Sequence, residues 1–175
     1  AMEKLIQTAK RQGSQILYME VGDRLISGDL RLQCVGPTQA ISRDFAADCN
    51  AMSLCLLLTC GDFQGLFTGD IAMDQEASLV AEVQSALEEN GTLAFLKVAH
   101  HGSKYSSGED FLDALAPKIA LISCGKNNSY GHPGKETLEH LEDVMGKDDI
   151  YITMDAGQIR ILFDQESPAQ VKFAK

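Results

Sequence analysis

No histidine precedes His100 in this 175-residue chain; the four it has are His100, His101, His132 and His140. Any site built on imidazole therefore belongs to the second half. Long apolar runs are also missing. Nothing approaches the roughly 20 consecutive apolar residues that span a bilayer, and the start, Ala1-Met2-Glu3-Lys4, lacks signal-peptide character, so a soluble chain is expected. Basic residues are scarce, 15 Lys and Arg against 25 Asp and Glu. The formal charge of −10 excludes a broad basic surface of the kind that holds nucleic acid by counterion release. The five cysteines, Cys34, Cys49, Cys55, Cys60 and Cys124, are odd in number and have no CxxC spacing, which points to free buried thiols rather than disulfides or a zinc knuckle. There is no internal repeat and no low-complexity segment.

With 45% hydrophobic residues, the length suits one well-filled core and does not demand two. A single domain over 1–175 is expected, with its core over about 15–163 and a polar tail over 164–175 that frays. Ile16 to Met19, Arg24 to Ile26 and Leu30 to Val35 read as short strands, the last half-buried by its alternation. Ser53 to Thr59 is almost continuously apolar, and Gly61-Asp62 turns it into Phe63 to Phe67. That is a hairpin whose first strand is expected to be covered on both faces. Ala77, Leu79, Val80, Val83 and Leu87 then recur at helical steps up to an Asn90-Gly91 stop. A strand over Phe95 to Ala99, a helix over Glu109 to Leu115, a strand over Ile119 to Ser123 and a helix from Pro133 to about Met145 follow. Ile150 to Met154 and Gln158 to Phe163 are expected to close the chain as a hairpin. The class is α/β.

Three segments carry chemistry: Leu66-Phe67-Thr68-Gly69-Asp70, Leu96-Lys97-Val98-Ala99-His100-His101-Gly102-Ser103 and Tyr130-Gly131-His132-Pro133. Strand ends are rigid and converge at one edge of a sheet, which suits a hydrolytic metal centre. Asp70 can cap the following helix, or it can bridge two metal ions held roughly 3.5–4 Å apart. Adjacent imidazoles after a strand point different ways, so one of His100 and His101 can ligate while the other donates to substrate or to a carboxylate; loop carbonyls could equally satisfy both. Ser103, Lys104, Ser106 and Ser107 could bind a phosphate through hydroxyls and one ammonium, although a serine-rich loop is also an ordinary solvated turn. The segment around Asn128 is a long loop ahead of a helix, of the kind that carries ligand sites, and Pro133 restrains the backbone beside His132. His140 falls within the last helix, as surface or partly buried filler.

In order along the chain, these motifs resemble the metallo-β-lactamase-like domain at the carboxyl end of the ComEC family of DNA-uptake proteins. The resemblance runs from roughly Gly28 to Leu162. It includes Asn50 to Leu58, Phe111-Leu112 to Ala116-Pro117-Lys118, and Ile122-Ser123-Cys124-Gly125-Lys126-Asn127-Asn128 beside the three segments above. It implies an αββα sandwich with a metal site at one edge of the paired sheets. It makes Asp70, His100, His101 and His132 the metal set, with His101 favoured because it directly precedes Gly102. Asp70, His100 and His132 become the catalytic set, His132 as ligand or proton donor, and Ser103, Lys104 and Asn128 the substrate contacts.

The implied function is metal-dependent hydrolysis, with zinc or manganese as cofactor and a DNA strand as substrate: a nuclease within a competence membrane protein. The family's early His-x-His-x-Asp-His motif is absent, and Val35-Gly36-Pro37 stands where relatives often carry a histidine before the proline. The expectation is a carboxyl-terminal part of the sandwich whose remaining ligands lie upstream, with the membrane reached only through the parent chain. Such a part should be inactive alone, bind metal weakly or not at all, and dimerise through exposed edges. The competing expectation is a degenerate, non-catalytic sandwich that serves as a structural or partner-binding platform.

Overall fold

The computed structural model describes residues 2–87, 91–163 and 170–174. Helix α1 (Met2–Arg11) leads through a turn and an extended stretch to β1 (Arg24–Ser27) and β2 (Leu30–Gly36), then to the short α2 (Gln39–Asp44). β3 (Cys55–Cys60) and β4 (Phe63–Phe67) form the expected hairpin, with Cys60 opposite Phe63 and Leu57 opposite Leu66. Helix α3 (Met73–Ala86), β5 (Leu93–Lys97), α4 (Glu109–Leu115), β6 (Ala120–Ile122), α5 (Lys135–Val144) and β7 (Ile150–Ile152) follow in strict alternation.

β1 to β7 form one seven-stranded sheet in sequence order. The pairs β1–β2, β2–β3 and β3–β4 are antiparallel; β4–β5, β5–β6 and β6–β7 are parallel. Each parallel step needs a crossover, which α3, α4 and α5 supply in turn. Right-handed crossovers between strands laid in sequence order put all three helices on one face, and α3 meets α4 as α4 meets α5. The residues that build α3 explain its place. Leu79 and Val83, four apart, are buried against the sheet, the Gln75 side chain reaches back to accept from the Ala72 amide at 2.9 Å, and the Leu87 amide closes the last turn on Val83. Leu57, Leu66, Leu96, Leu112 and Leu141 join them in the core; truncating any one to alanine costs about 2–5 kcal/mol.

The architecture is thus a mixed α/β layer of sheet and helices. Its opposite sheet face meets β8 (Gln158–Leu162) and β9 (Gln170–Ala174), a separate antiparallel pair. The Phe63 and Phe163 rings stack at 3.9 Å, and Tyr151 and Phe173 approach to 5.5 Å.

Several sequence expectations are corrected here. Ile16 to Met19 is not a strand, and Leu17 and Tyr18 are exposed, because no neighbouring strand is offered to them. Residues 150–163 do not form a hairpin: β7 joins the main sheet beside β6, Thr153–Ala156 turns as helix α6, and β8 pairs with β9 instead. Part of the supposed tail is therefore a strand, while 164–169 lie outside the described residues, as does the Asn90 stop. β3 buries only one face, with Leu56, Leu58 and Cys60 half-exposed, and β2 is buried at its end rather than alternately. Pro133 precedes α5, whose cap is Gly134. All five cysteines are free, but only Cys34 and Cys55 are buried and Cys49 is exposed.

Candidate active site at the carboxyl ends of the parallel strands

The loops that follow β4, β5 and β6 leave the same edge of the sheet, the edge where open α/β sheets bind ligands. They bring Asp70, His100, His101 and His132 together, with Ser123 and Cys124 beside them.

Asp70 sits two residues beyond a buried Thr68, whose hydroxyl donates to the Lys97 carbonyl at 2.7 Å. Gly69 has φ +59°, and a Cβ there would fall 2.6 Å from Cβ of Ser53. That close approach lets the Asp70 amide donate to Ser53 Oγ at 2.9 Å and the Gly69 carbonyl accept from the His100 amide at 3.0 Å. Asp70 does not cap α3; Ala72 holds the cap position, and its amide is taken by the Gln75 side chain. The Asp70 carboxylate is left free for the site.

His100 (φ 48°), His101 (φ 57°) and Gly102 (φ 81°) are three consecutive left-handed residues. Two of them carry side chains, at a cost of about 1–2 kcal/mol each, so the surroundings must hold the turn. Ser106 Oγ donates to the carbonyls of Ala99 and Ser103, Thr137 Oγ1 donates to the Ser103 carbonyl, and the Gly134 amide donates to the Gly102 carbonyl at 2.7 Å. Gly102 admits no side chain, since a Cβ would lie 2.7 Å from Cβ of Pro133.

The turn fixes the His101 tautomer. Nδ1 lies 2.7 Å from the Ser123 carbonyl oxygen, which can only accept, so Nδ1 carries a proton and the lone pair of the neutral ring is the one on Nε2. Nε2 faces Oδ1 of Asp70 at 3.6 Å. Two electron-pair donors held face to face at that separation leave room for a cation between them, since nitrogen and carboxylate ligands bind zinc at about 2.0–2.2 Å. His100 Nδ1 is buried with no hydrogen-bond partner among the described residues, and its ring meets that of His132 edge-on at 5.9 Å. Burial first, then the neighbouring His100 and His101, push the His132 ring below the usual histidine range, against the pull of Asp70.

The donor types suit a divalent cation, but the count falls short. Among the described residues, no group of three or more His, Cys, Asp or Glu side chains is placed to hold a metal ion. Asp70 and His101 account for half of a four-ligand shell.

The three expected substrate contacts have different fates. Ser103 is buried, and its hydroxyl accepts from the Tyr105 amide at 3.3 Å. Lys104 is exposed, with Nζ 5.1 Å from the centre of the Tyr105 ring. Asn128 braces its own loop, donating through Nδ2 to the Gly125 and His132 carbonyls and accepting from the His132 amide at Oδ1. His140 stands apart beside Glu109 and Ser107. Sequence reasoning missed Lys97, the one charged residue in the run Leu93 to Ala99. Its ammonium donates to the Val98 carbonyl at 2.7 Å; burial lowers its pKa, while Asp70 and Cys124 raise it. A lone lysine ending an apolar strand beside two histidines was the available signal.

Fold and site together define a mixed α/β protein with a carboxylate–imidazole cluster at its parallel strand ends. No family model matches the chain. It is similar to ComE operon protein 3 of Bacillus subtilis, 37% identical over 140 residues, covering 80% of this chain and 17% of that protein. Recombination protein 2 of Haemophilus influenzae is 30% identical over 149 residues, 83% of this chain and 17% of the relative. Competence protein ComA of Neisseria gonorrhoeae is 37% identical over 86 residues, 49% and 12%. These similarities relate the chain to proteins named for competence and recombination, and it spans about a sixth of the length of the first two. No helix among the described residues is long and apolar enough to cross a membrane.

Proposed function

We propose that this chain is the carboxyl-terminal share of a metallo-β-lactamase-like domain that hydrolyses DNA phosphodiester bonds during DNA uptake, within a longer membrane-bound competence protein. The observation that carries the reading is the Asp70 carboxylate facing Nε2 of His101 at 3.6 Å, with Nδ1 of the same ring held by the Ser123 carbonyl, at the carboxyl ends of parallel strands. The relatives' names and the short share of their length that the chain covers support the wider setting. A zinc or manganese ion held by Asp70 and His101, with His100 and His132 beside it, would supply Lewis acidity toward a phosphoryl oxygen. The chain's own residues do the rest: Ser123 keeps a proton on His101 Nδ1, His132 can take a proton at a ring nitrogen and, once protonated, give it back, and Lys97 offsets charge behind Asp70.

Because two donors do not complete a shell, the isolated chain binds metal weakly and cleaves nothing; the further ligands come from the parent protein. The test is cleavage of end-labelled DNA by the parent protein in manganese or zinc. Asp70→Ala or His101→Ala should abolish cleavage, and unchanged cleavage would rule the proposal out. The short donor count also favours a second reading, a non-catalytic platform, which a parent protein without nuclease activity in any metal would support. The isolated chain is also proposed to self-associate through β1, whose four residues are all exposed at a sheet edge; a monomer in sedimentation at high concentration would refute this.

A further inference from the structure

The loop between β6 and α5 is braced more firmly than its exposure requires. Asn128 bonds both the Gly125 and His132 carbonyls and the His132 amide, so the two ends of the 128–132 turn are tied by one side chain. What the turn displays is Tyr130, 82% exposed, with its ring within 13° of parallel to that of His132 and 5.7 Å from it. His132 in turn meets His100 at 5.9 Å. Three rings therefore form a file from open solvent to the floor of the site. The backbone of Lys104 packs close to Gly134, two residues beyond His132, and the Lys104 ammonium lies 5.1 Å from the centre of the exposed Tyr105 ring.

The Tyr130 ring stacks on His132 with one face and is otherwise held out in water on a stiffened loop. Every nucleobase has a flat face that such a ring can stack on, whereas bases in a duplex are already stacked on one another. We propose that Tyr130 is a base-stacking platform that makes the site selective for unpaired nucleotides, with Lys104 meeting the adjoining backbone phosphate. This rests on the phosphodiester reading above and narrows its substrate to single strands or frayed ends.

The experiment measures binding without catalysis. Fluorescence anisotropy is read on this chain in EDTA at low salt, with a labelled oligothymidylate of about eight nucleotides and an abasic strand of equal length as probes. The wild-type chain and Tyr130→Phe should prefer the oligothymidylate. Tyr130→Ala should lose between about 5-fold and about 150-fold of that affinity while holding the abasic strand as before. Tyr130 is exposed and its stacking on His132 lies at the surface, so the variant's thermal melt should stay close to the wild type's. An equal loss on both probes, no loss, or a wild-type chain that does not prefer bases would overturn the proposal. Asp70→Ala separates the two readings. It should keep the base preference in EDTA, so base preference alongside undiminished cleavage by the Asp70→Ala parent would sink the hydrolytic reading and leave the platform standing.

Discussion

Replacing Gly69 with alanine tests how Asp70 is positioned. At φ +59°, any L side chain adds about 1–2 kcal/mol of backbone strain. The new Cβ would also lie 2.6 Å from Cβ and 2.7 Å from Oγ of Ser53, and Ser53 can retreat only by giving up its bond to the Asp70 amide. Overpacking costs about 1–3 kcal/mol and a lost hydrogen bond about 1 kcal/mol, but relieving one incurs the other, so the expected total is about 2–4 kcal/mol. Gly131→Ala supplies the comparison: its φ is +73°, yet nothing lies within 4 Å of its Cβ, so only the backbone cost of about 1–2 kcal/mol applies. Urea denaturation reads both. With a slope near 2 kcal/mol/M, Gly69→Ala should lower the midpoint by roughly 1–2 M, and Gly131→Ala by roughly half as much. Equal shifts would refute the close packing of Ser53 against the Asp70 turn.

Two further expectations follow from buried groups. Burial pushes the Glu76 carboxyl up, against the pull of the Gly108 and Ser107 amides that it accepts from and of His140 across a cavity of about 640 Å³. The folded chain thus binds this proton more tightly than the unfolded chain. Stability from this group is full below the ordinary carboxylate range and falls as pH rises toward the raised value, so Glu76→Gln should flatten that part of a stability–pH curve. A slope identical to wild type would contradict the assignment. For the thiols, burial drives Cys55 up to about 12, which leaves roughly one molecule in 10,000 as thiolate at pH 8. In the native chain Cys49 should react with a thiol reagent first and Cys34 and Cys55 not at all, while all five react in urea; prompt native labelling of Cys55 would show that the core around it is open.

How far the sequence could be read differed by the range of the interactions involved. β3 was found but runs Cys55–Cys60 rather than Ser53 to Thr59, while the Gly61-Asp62 turn, β4 and α4 were legible at their observed bounds because their signals are local. The end of the chain was not. Ile150 to Ile152 and Gln158 to Leu162 have strand patterns that would suit each other, but the free edge at β6 competes for the first and Gln170–Ala174 for the second. That competition is settled by tertiary geometry, which no short window contains. The site divides the same way. Asp70, His100, His101 and His132 were readable by identity, and the structure gathers them. Ser53 and Ser123 lie 17 and 22 residues from the Asp70 and His101 they orient, Thr137 lies 34 from the Ser103 carbonyl it holds, and none bears a mark in sequence.

The central claim is that the gap between Asp70 and His101 receives a divalent cation. Substoichiometric manganese added to this chain, with the four histidine ring signals followed by proton NMR, tests it most directly, because paramagnetic broadening registers weak binding. The signals of His101, His100 and His132 should broaden while that of His140 stays sharp, and Asp70→Ala should remove the selectivity. Four sharp signals, or His140 broadening with the rest, would contradict the account.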